Sequence, residues 1–397
     1  MTIATKKLSE LANIFYGASP ATIRVENSDI PIFGTSGLVG YASKPLFETE
    51  AIVVGRKGTL GNPIFTPDKF WAIDTTYAVI AKDDVDTKWL YYALLHHDLT
   101  RLNEATGVPS INRDRLYNID ITYFEYPEQR VIADILSTLD EAIAQSESLV
   151  RKYQSIKQGL MSDLLTRGMD ENGELRDSKD FTETQIGNFP KTWTIISLGE
   201  IISKSGGFIQ TGPFGSQLHS YEYVEQGVPV VMPQDIMEDG RISEDNIARI
   251  TAGKAKELSR HIVKPNDVVF ARRGDLSRCS AITEQEAGWL CGTGSMLVRP
   301  SQKEIDGRWL AAVYRHEIGQ HQIRARAVGS TMVNLNSTLL RDLVIPKPPL
   351  PEQEKIMEIL ESQDGLLRTE VESLAKLQLL KQGLMQDLLS GQVRVKV

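Results

Sequence analysis

Few residues in this chain have the chemistry to react or to hold a metal, and their spacing decides what each can do. His316-Glu-Ile-Gly-Gln-His321 resembles a zinc-protease motif in composition. Its histidines stand five apart rather than four, so on a helix they do not share a face. Gly61-Asn-Pro-Ile-Phe65 lacks the second proline of the Asn-Pro-Pro-aromatic tetrapeptide of amino-methyltransferases, and no glycine-rich cofactor loop closes a strand upstream. Gly253-Lys254 has no glycine-rich phosphate cradle before it, and no Gly-x-Ser-x-Gly elbow occurs. The two cysteines, Cys279 and Cys291, are too few for a disulfide framework or a four-ligand zinc site. The reading is a chain that is not an enzyme, with no catalytic residue, no metal and no cofactor of its own.

Contact chemistry is better represented. Ala51-Ile-Val-Val-Gly-Arg-Lys-Gly58 and Asp267-Val-Val-Phe-Ala-Arg-Arg-Gly274 each read as a short β-branched strand ending in two cations and a glycine. Arginine can grip guanine O6 and N7 with both arms or clamp a phosphate, and glycine lets backbone approach a ligand. Arg56, Lys57 and the adjoining Thr59, with Arg272 and Arg273, are therefore candidate DNA contacts. Asn112, Asn334 and Asn336 can bind adenine edges or cap turns, and Arg113 adjoins the first of them. Gln217 lies in a polar, glycine-rich loop, Gly206–Leu218.

The elements that must position these residues come in duplicate. Pro127-Glu-Gln-Arg-Val-Ile-Ala-Asp-Ile-Leu136 recurs as Pro351-Glu-Gln-Glu-Lys-Ile-Met-Glu-Ile-Leu360. Lys157-Gln-Gly-Leu-Met-Ser-Asp-Leu-Leu165 recurs as Lys381-Gln-Gly-Leu-Met-Gln-Asp-Leu-Leu389. Both matches share an offset of 224, so residues 127–165 repeat without a gap. Each copy predicts one long helix with a heptad seam, through Ile132, Leu136, Leu139 and Ile143 in the first and Leu360, Leu367, Leu374 and Leu377 in the second. At ~1.5 Å per residue each spans roughly 58 Å. A parallel pair would set Lys157 against Lys381 inside the seam. An antiparallel pair places Ser146 opposite Glu370 and lets each lysine stem lie over an apolar neighbour. That pairing puts a globule at each end of a rod. Pairing between two chains is the alternative.

Between the helices the repeat is fainter. Trp89-Leu90 and Trp309-Leu310 each open an amphipathic helix, followed by Gly107 and Gly329 and then by Ile111-Asn112 and Val333-Asn334. Residues 166–192 read as the connection leaving the first helix.

With 397 residues, 41% apolar and 24% charged, the chain predicts two or three globular domains. No apolar run approaches ~18 residues and the N-terminus has no signal-like core, so the expectation is a cytoplasmic protein without a membrane partner. The net charge of −8 argues against a nucleic-acid binder until it is divided. Residues 1–125 carry −3, 126–185 carry −5, 186–348 carry +2 and 349–397 carry −2. The helical parts hold most of the negative charge. A DNA-binding role would then draw much of its phosphate contact from a partner, or concentrate the cations on one face.

The two Pro-Glu-Gln helix starts and the two Lys-Gln-Gly-Leu-Met helix ends resemble the specificity (S) subunits of type I restriction-modification systems. So do Ile186-Gly-Asn-Phe-Pro-Lys-Thr-Trp193, Pro346-Lys-Pro-Pro-Leu-Pro-Glu-Gln353, Gly34-Thr-Ser-Gly-Leu-Val-Gly-Tyr41 and Thr211-Gly-Pro-Phe-Gly-Ser-Gln-Leu218. The first junction, Tyr123-Phe-Glu-Tyr-Pro127, departs in lacking a proline run. The resemblance implies an α+β fold: two target-recognition domains, residues 1–125 and 186–348, separated by a pair of long antiparallel helices with an internal pseudo-two-fold. Residues 126–185 would be the central helix and linker and 349–397 the C-terminal helix. It implies that each domain reads half of a bipartite double-stranded DNA target. Two methyltransferase subunits would bring S-adenosylmethionine, and restriction subunits would bring ATP and Mg. Competing readings are a methyltransferase or nuclease hidden in a globule, a scaffold without DNA contact, and the specificity subunit of a fused single-polypeptide restriction enzyme.

Overall fold

The computed structural model describes residues 4–327 and 334–396. The chain divides into two compact units, residues 1–150 with 369–397, and residues 151–368. Helices and strands are both well represented, giving the expected α+β class.

Unit 1 contains an antiparallel four-stranded sheet in the order Ala12–Tyr16, Thr76–Ala81, Ala51–Gly55, Ile64–Thr66. A second sheet runs Arg24–Val25, Gly37–Ala42, Ile30–Gly34, Trp71–Ala72, its last pair parallel. Unit 2 repeats both. Its sheets run Phe208–Thr211, Ser295–Arg299, Val268–Ala271, Cys279–Ala281, and Tyr223–Val224, Arg249–Ile250, Val228–Val231, Leu290–Cys291, again with a parallel last pair. The duplication thus extends to topology. The central strands Ala51–Gly55 and Val268–Ala271 are buried at every position, which explains their unbroken apolar runs. Beside each lies an amphipathic helix, Thr87–His96 or Gly307–Arg315, capped by Asp86 or Asp306 and anchored by a fully buried Trp89 or Trp309.

The long helices span Tyr126–Thr166 and Leu350–Leu389, with Pro127 and Pro351 in the first turn where no intrahelical donor is lost. They pair antiparallel within the chain. In unit 1 the Ser146 hydroxyl donates to Glu370 at 2.5 Å. In unit 2 the Gln363 amide donates to the Tyr153 carbonyl at 3.4 Å. Ile132, Leu136 and Leu360 are buried, while Leu139, Ile143, Leu367, Leu374 and Leu377 are half-buried. The seam lysines do more than lie over apolar neighbours. Lys381 meets Asp140, and Lys157 meets Asp364, each at 2.5 Å, and the two pairs are related by the offset of the repeat.

The repeated Pro-Glu-Gln motif now has a physical meaning. Gln129 and Gln353 are both 0% exposed. The Gln129 carbonyl accepts from the backbone N–H of Asp86, the cap of the amphipathic helix, and its amide donates to the Phe124 carbonyl. Gln353 makes the matching bonds to Asp306 and Pro348. Each glutamine therefore pins its globule to the start of a long helix. The preceding glutamates receive the chain that leaves the other helix: Glu128 accepts a two-armed contact from Arg394, and Glu352 from Arg176. The repeated Asp-Leu-Leu helix ends finish the same joint. Leu388 and Leu389 pack with Ile132 and Leu136, and Leu164 and Leu165 with Ile356 and Leu360.

Two expectations change. Residues 166–192 are no bare connection: they carry the hairpin Phe181–Thr184 and Gly187–Pro190, and Met169 and Phe189 join the unit 2 core beside Trp193. The faint repeat also has a different register. Ile111 donates its N–H to the Arg56 carbonyl and Leu335 donates to the Arg272 carbonyl, so Asn112 corresponds to Asn336 rather than Asn334. Gly329 and Val333 lie outside the described residues.

Candidate nucleic-acid interface

In unit 1 the chain leaving the buried strand Ala51–Gly55 is fastened on three sides. The Arg56 and Lys57 N–H groups both donate to the Thr75 carbonyl, Gly58 donates to Pro109, and Ile111 donates back to Arg56. Gly58 has a φ of +99°, and Gly274 in unit 2 one of +77°, conformations that suit glycine after the paired cations. Lys57 and Thr59 are exposed.

Arg56 is half-buried and donates to the Asp74 carbonyl at 3.1 Å. Its guanidinium lies 5.2 Å from the ring centre of Tyr16. Arg113, from the first turn of helix Arg113–Tyr117, lies 5.1 Å from the same ring, with its Nε buried and lacking a protein partner. Beneath them Tyr77 is 1% exposed, stands edge-on to Tyr16 at 5.3 Å, and donates its hydroxyl to the Ile111 carbonyl. Burial pushes the Tyr77 phenol above its ordinary range, so it remains a neutral donor. Two of the expected cations thus converge on an aromatic ring that sequence reasoning did not single out. Asn112 is exposed and caps the Arg113–Tyr117 helix, its carbonyl accepting from Asp114 at 2.9 Å.

Unit 2 presents the corresponding groups differently. Arg272 donates its N–H to Gly294 and accepts from Leu335, the places Thr75 and Ile111 hold around Arg56. Its Nε is buried without a partner, and Arg273 is exposed. Asn336 caps the helix Ser337–Arg341 through a bond from Leu339, and Asn334 is exposed. Gln217 is exposed and folds back to accept from the Phe214 N–H. The strand position equivalent to Tyr16 is Thr211, which pairs with Met296 as Tyr16 pairs with Tyr77. A glycine follows each. A Cβ on Gly17 would lie 2.0 Å from the Ile73 carbonyl oxygen, and one on Gly212 1.9 Å from that of Gly292.

Both units therefore hold arginines on stapled loops next to asparagine-capped helices, a display suited to phosphates and base edges. The rejected motifs lie elsewhere. The His316 ring nitrogen accepts from the Ile318 N–H at a helix junction, while His321 is exposed. Lys254 sits in a short helix paired with Glu222.

The family described as the type I restriction modification DNA specificity domain matches residues 2–157 and 190–381. The chain belongs to that family. The MjaVIII specificity subunit of Methanocaldococcus jannaschii is 25% identical over 319 residues, covering 79% of this chain and 71% of that one. The EcoDI specificity subunit of Escherichia coli is 21% identical over 377 residues, covering 89% and 79%. The crystal structure of the type I restriction-modification S subunit from M. genitalium has the same fold, with a TM-score of 0.68 at 20% identity over 98% of this chain and 96% of that one.

Two groups in this specificity-domain protein escaped sequence reasoning. Tyr16 and Tyr77 lie 61 residues apart in sequence, and only strand pairing brings them under Arg56 and Arg113. Gln129 and Gln353 were visible as a repeated motif, but a repeat does not say what a side chain touches. Among the described residues, no helix is long and apolar enough to cross a membrane.

Proposed function

We propose that this chain is the DNA-specificity subunit of a type I restriction-modification complex, with each unit reading half of a bipartite double-stranded target. It is not catalytic itself. It directs adenine methylation or restriction by partner subunits acting with it on DNA. The observation that carries this reading is the duplicated arginine loop: Arg56 and Arg272 occupy matched backbone positions in two units of one topology, in a member of this family. In the finer form of the proposal, two methyltransferase subunits hold S-adenosylmethionine and restriction subunits use ATP and Mg. The complex works in the cytoplasm, where both host and incoming DNA are met. The mild net charge of the globules supports a reader that shares phosphate contacts with partners.

The test is a domain exchange in the assembled methyltransferase. Replacing residues 1–125 with the matching domain of a relative should alter one half of the methylated sequence and leave the other half intact. A change in both halves overturns independent reading. The purified chain alone should neither methylate nor cut DNA, and activity surviving removal of every partner overturns the non-catalytic assignment.

A further inference from the structure

We infer that Tyr16 is a positioning residue for DNA reading in unit 1, a ring that holds Arg56 and Arg113 as one preset pair. This rests on the proposed reading of DNA by the arginine loops. The two cations come from segments 57 residues apart, a strand end and the start of a short helix, and repel one another. An aromatic ring attracts both: their guanidiniums lie 5.2 and 5.1 Å from its centre.

The ring is itself held. Its strand pairs with the strand of Tyr77, whose buried ring abuts it at 60° and whose hydroxyl is tied to Ile111. The next residue, Gly17, admits no side chain because the Ile73 carbonyl occupies that space. The backbone that carries Tyr16 is therefore fixed, and its ring rests against that of Tyr77. An arginine fixed before it meets DNA loses less rotamer freedom on docking, and a fixed fork matches one base geometry better than its alternatives. Tyr16 also remains 49% exposed, so the pair is open to a ligand. Unit 2 places Thr211 at the matching position, so the device belongs to one half-site only.

The experiment uses the complex with its methyltransferase subunits on a DNA library with both half-sites randomised. Tyr16→Leu keeps bulk without the aromatic face, and Tyr16→Phe keeps the ring. Arg56→Ala and Arg113→Ala test the reading on which the inference rests. Tyr16→Leu should weaken base preference about tenfold within the half-site altered by exchanging residues 1–125. The other half-site should be unchanged, and Tyr16→Phe should retain the preference. If the arginine variants relax that half-site and Tyr16→Leu does not, the positioning role is wrong while the arginine reading stands. A Tyr16→Leu complex that methylates less on every sequence, with its preference kept, also overturns it. If neither arginine variant alters preference, the arginine reading itself fails.

Discussion

Gln129 and Gln353 each satisfy one buried donor and one buried acceptor, and no shorter or apolar side chain can do both. Gln129→Leu would orphan the Asp86 N–H and the Phe124 carbonyl. At about 1–3 kcal/mol for each orphaned group, the loss should be about 3 kcal/mol. Thermal unfolding should register it, and hydrogen exchange should speed up first at the start of helix Thr87–His96. An unchanged melting curve would remove the pin from the account. The cysteines give a prediction of opposite kind. Both are fully buried, and burial pushes the Cys279 thiol up to about 11 and the Cys291 thiol higher still. A thiol reagent at pH 8 should label neither until denaturant is added. Unfolded thiols ionise from about pH 8.5 while the buried ones stay protonated. Stability should therefore fall as pH rises from about 8.5 toward 11. At this scale the sequence was only partly legible. Arg56 and Asn112 stood out by type and neighbourhood, but Asn112 spends its carbonyl on a helix cap. Tyr16 was silent, because a tyrosine ending a strand says nothing about which cations cross its face.

The long helices were the most legible elements, since a seven-residue period sustained over about five heptads has few other interpretations. Their direction was legible too, because Lys157 and Lys381 would clash in a parallel pair. Their partners, Asp364 and Asp140, were not, since they flank the seam rather than lie in it. The chain after the first helix misled for a related reason. Its glycines and charges look like a linker, yet Arg176 fixes it by a two-armed contact to Glu352, which also accepts from the Trp193 indole at 3.2 Å and from the Met169 N–H at 3.1 Å. The Arg176 and Glu352 side chains are 15% and 10% exposed. Arg176→Met should cost about 3 kcal/mol by leaving a largely buried carboxylate without its cation. Adding Glu352→Gln should restore part of it, because the amide oxygen can still accept from Trp193 and Met169. A double-mutant cycle by chemical denaturation measures this coupling, and strict additivity would deny it.

At the scale of the whole molecule, the helix repeat was plain in the sequence while the duplicated sheets were nearly invisible. Short strands buried on both faces ask only for small or branched apolar residues, so Ala51–Gly55 and Val268–Ala271 can diverge and keep one topology. What persists is backbone necessity, as at Gly17 and Gly212. What varies is the contact surface, as at Tyr16 and Thr211. The shared helices offer a test of how half-site spacing is set. A heptad inserted in each helix beside the facing Ser146 and Glu370 preserves the seam and adds ~10 Å to each helix. If helix length is the ruler, the preferred spacer grows by about three base pairs at ~3.4 Å each. Selecting methylated DNA from a spacer library measures it, and an unchanged preference would assign spacing to the joints at the globules.

Unit 2 is one unbroken stretch of chain, whereas unit 1 needs residues 369–397 to complete it. A ribosome adding roughly 5–20 residues per second takes tens of seconds to travel from the first portion of unit 1 to the second. Throughout that interval Ile132 and Leu136 lack Leu388 and Leu389, and Glu128 lacks Arg394. The first portion of unit 1 must wait with an apolar stripe uncovered until all of unit 2 has been made. The unit begun first is thus the last to be completed.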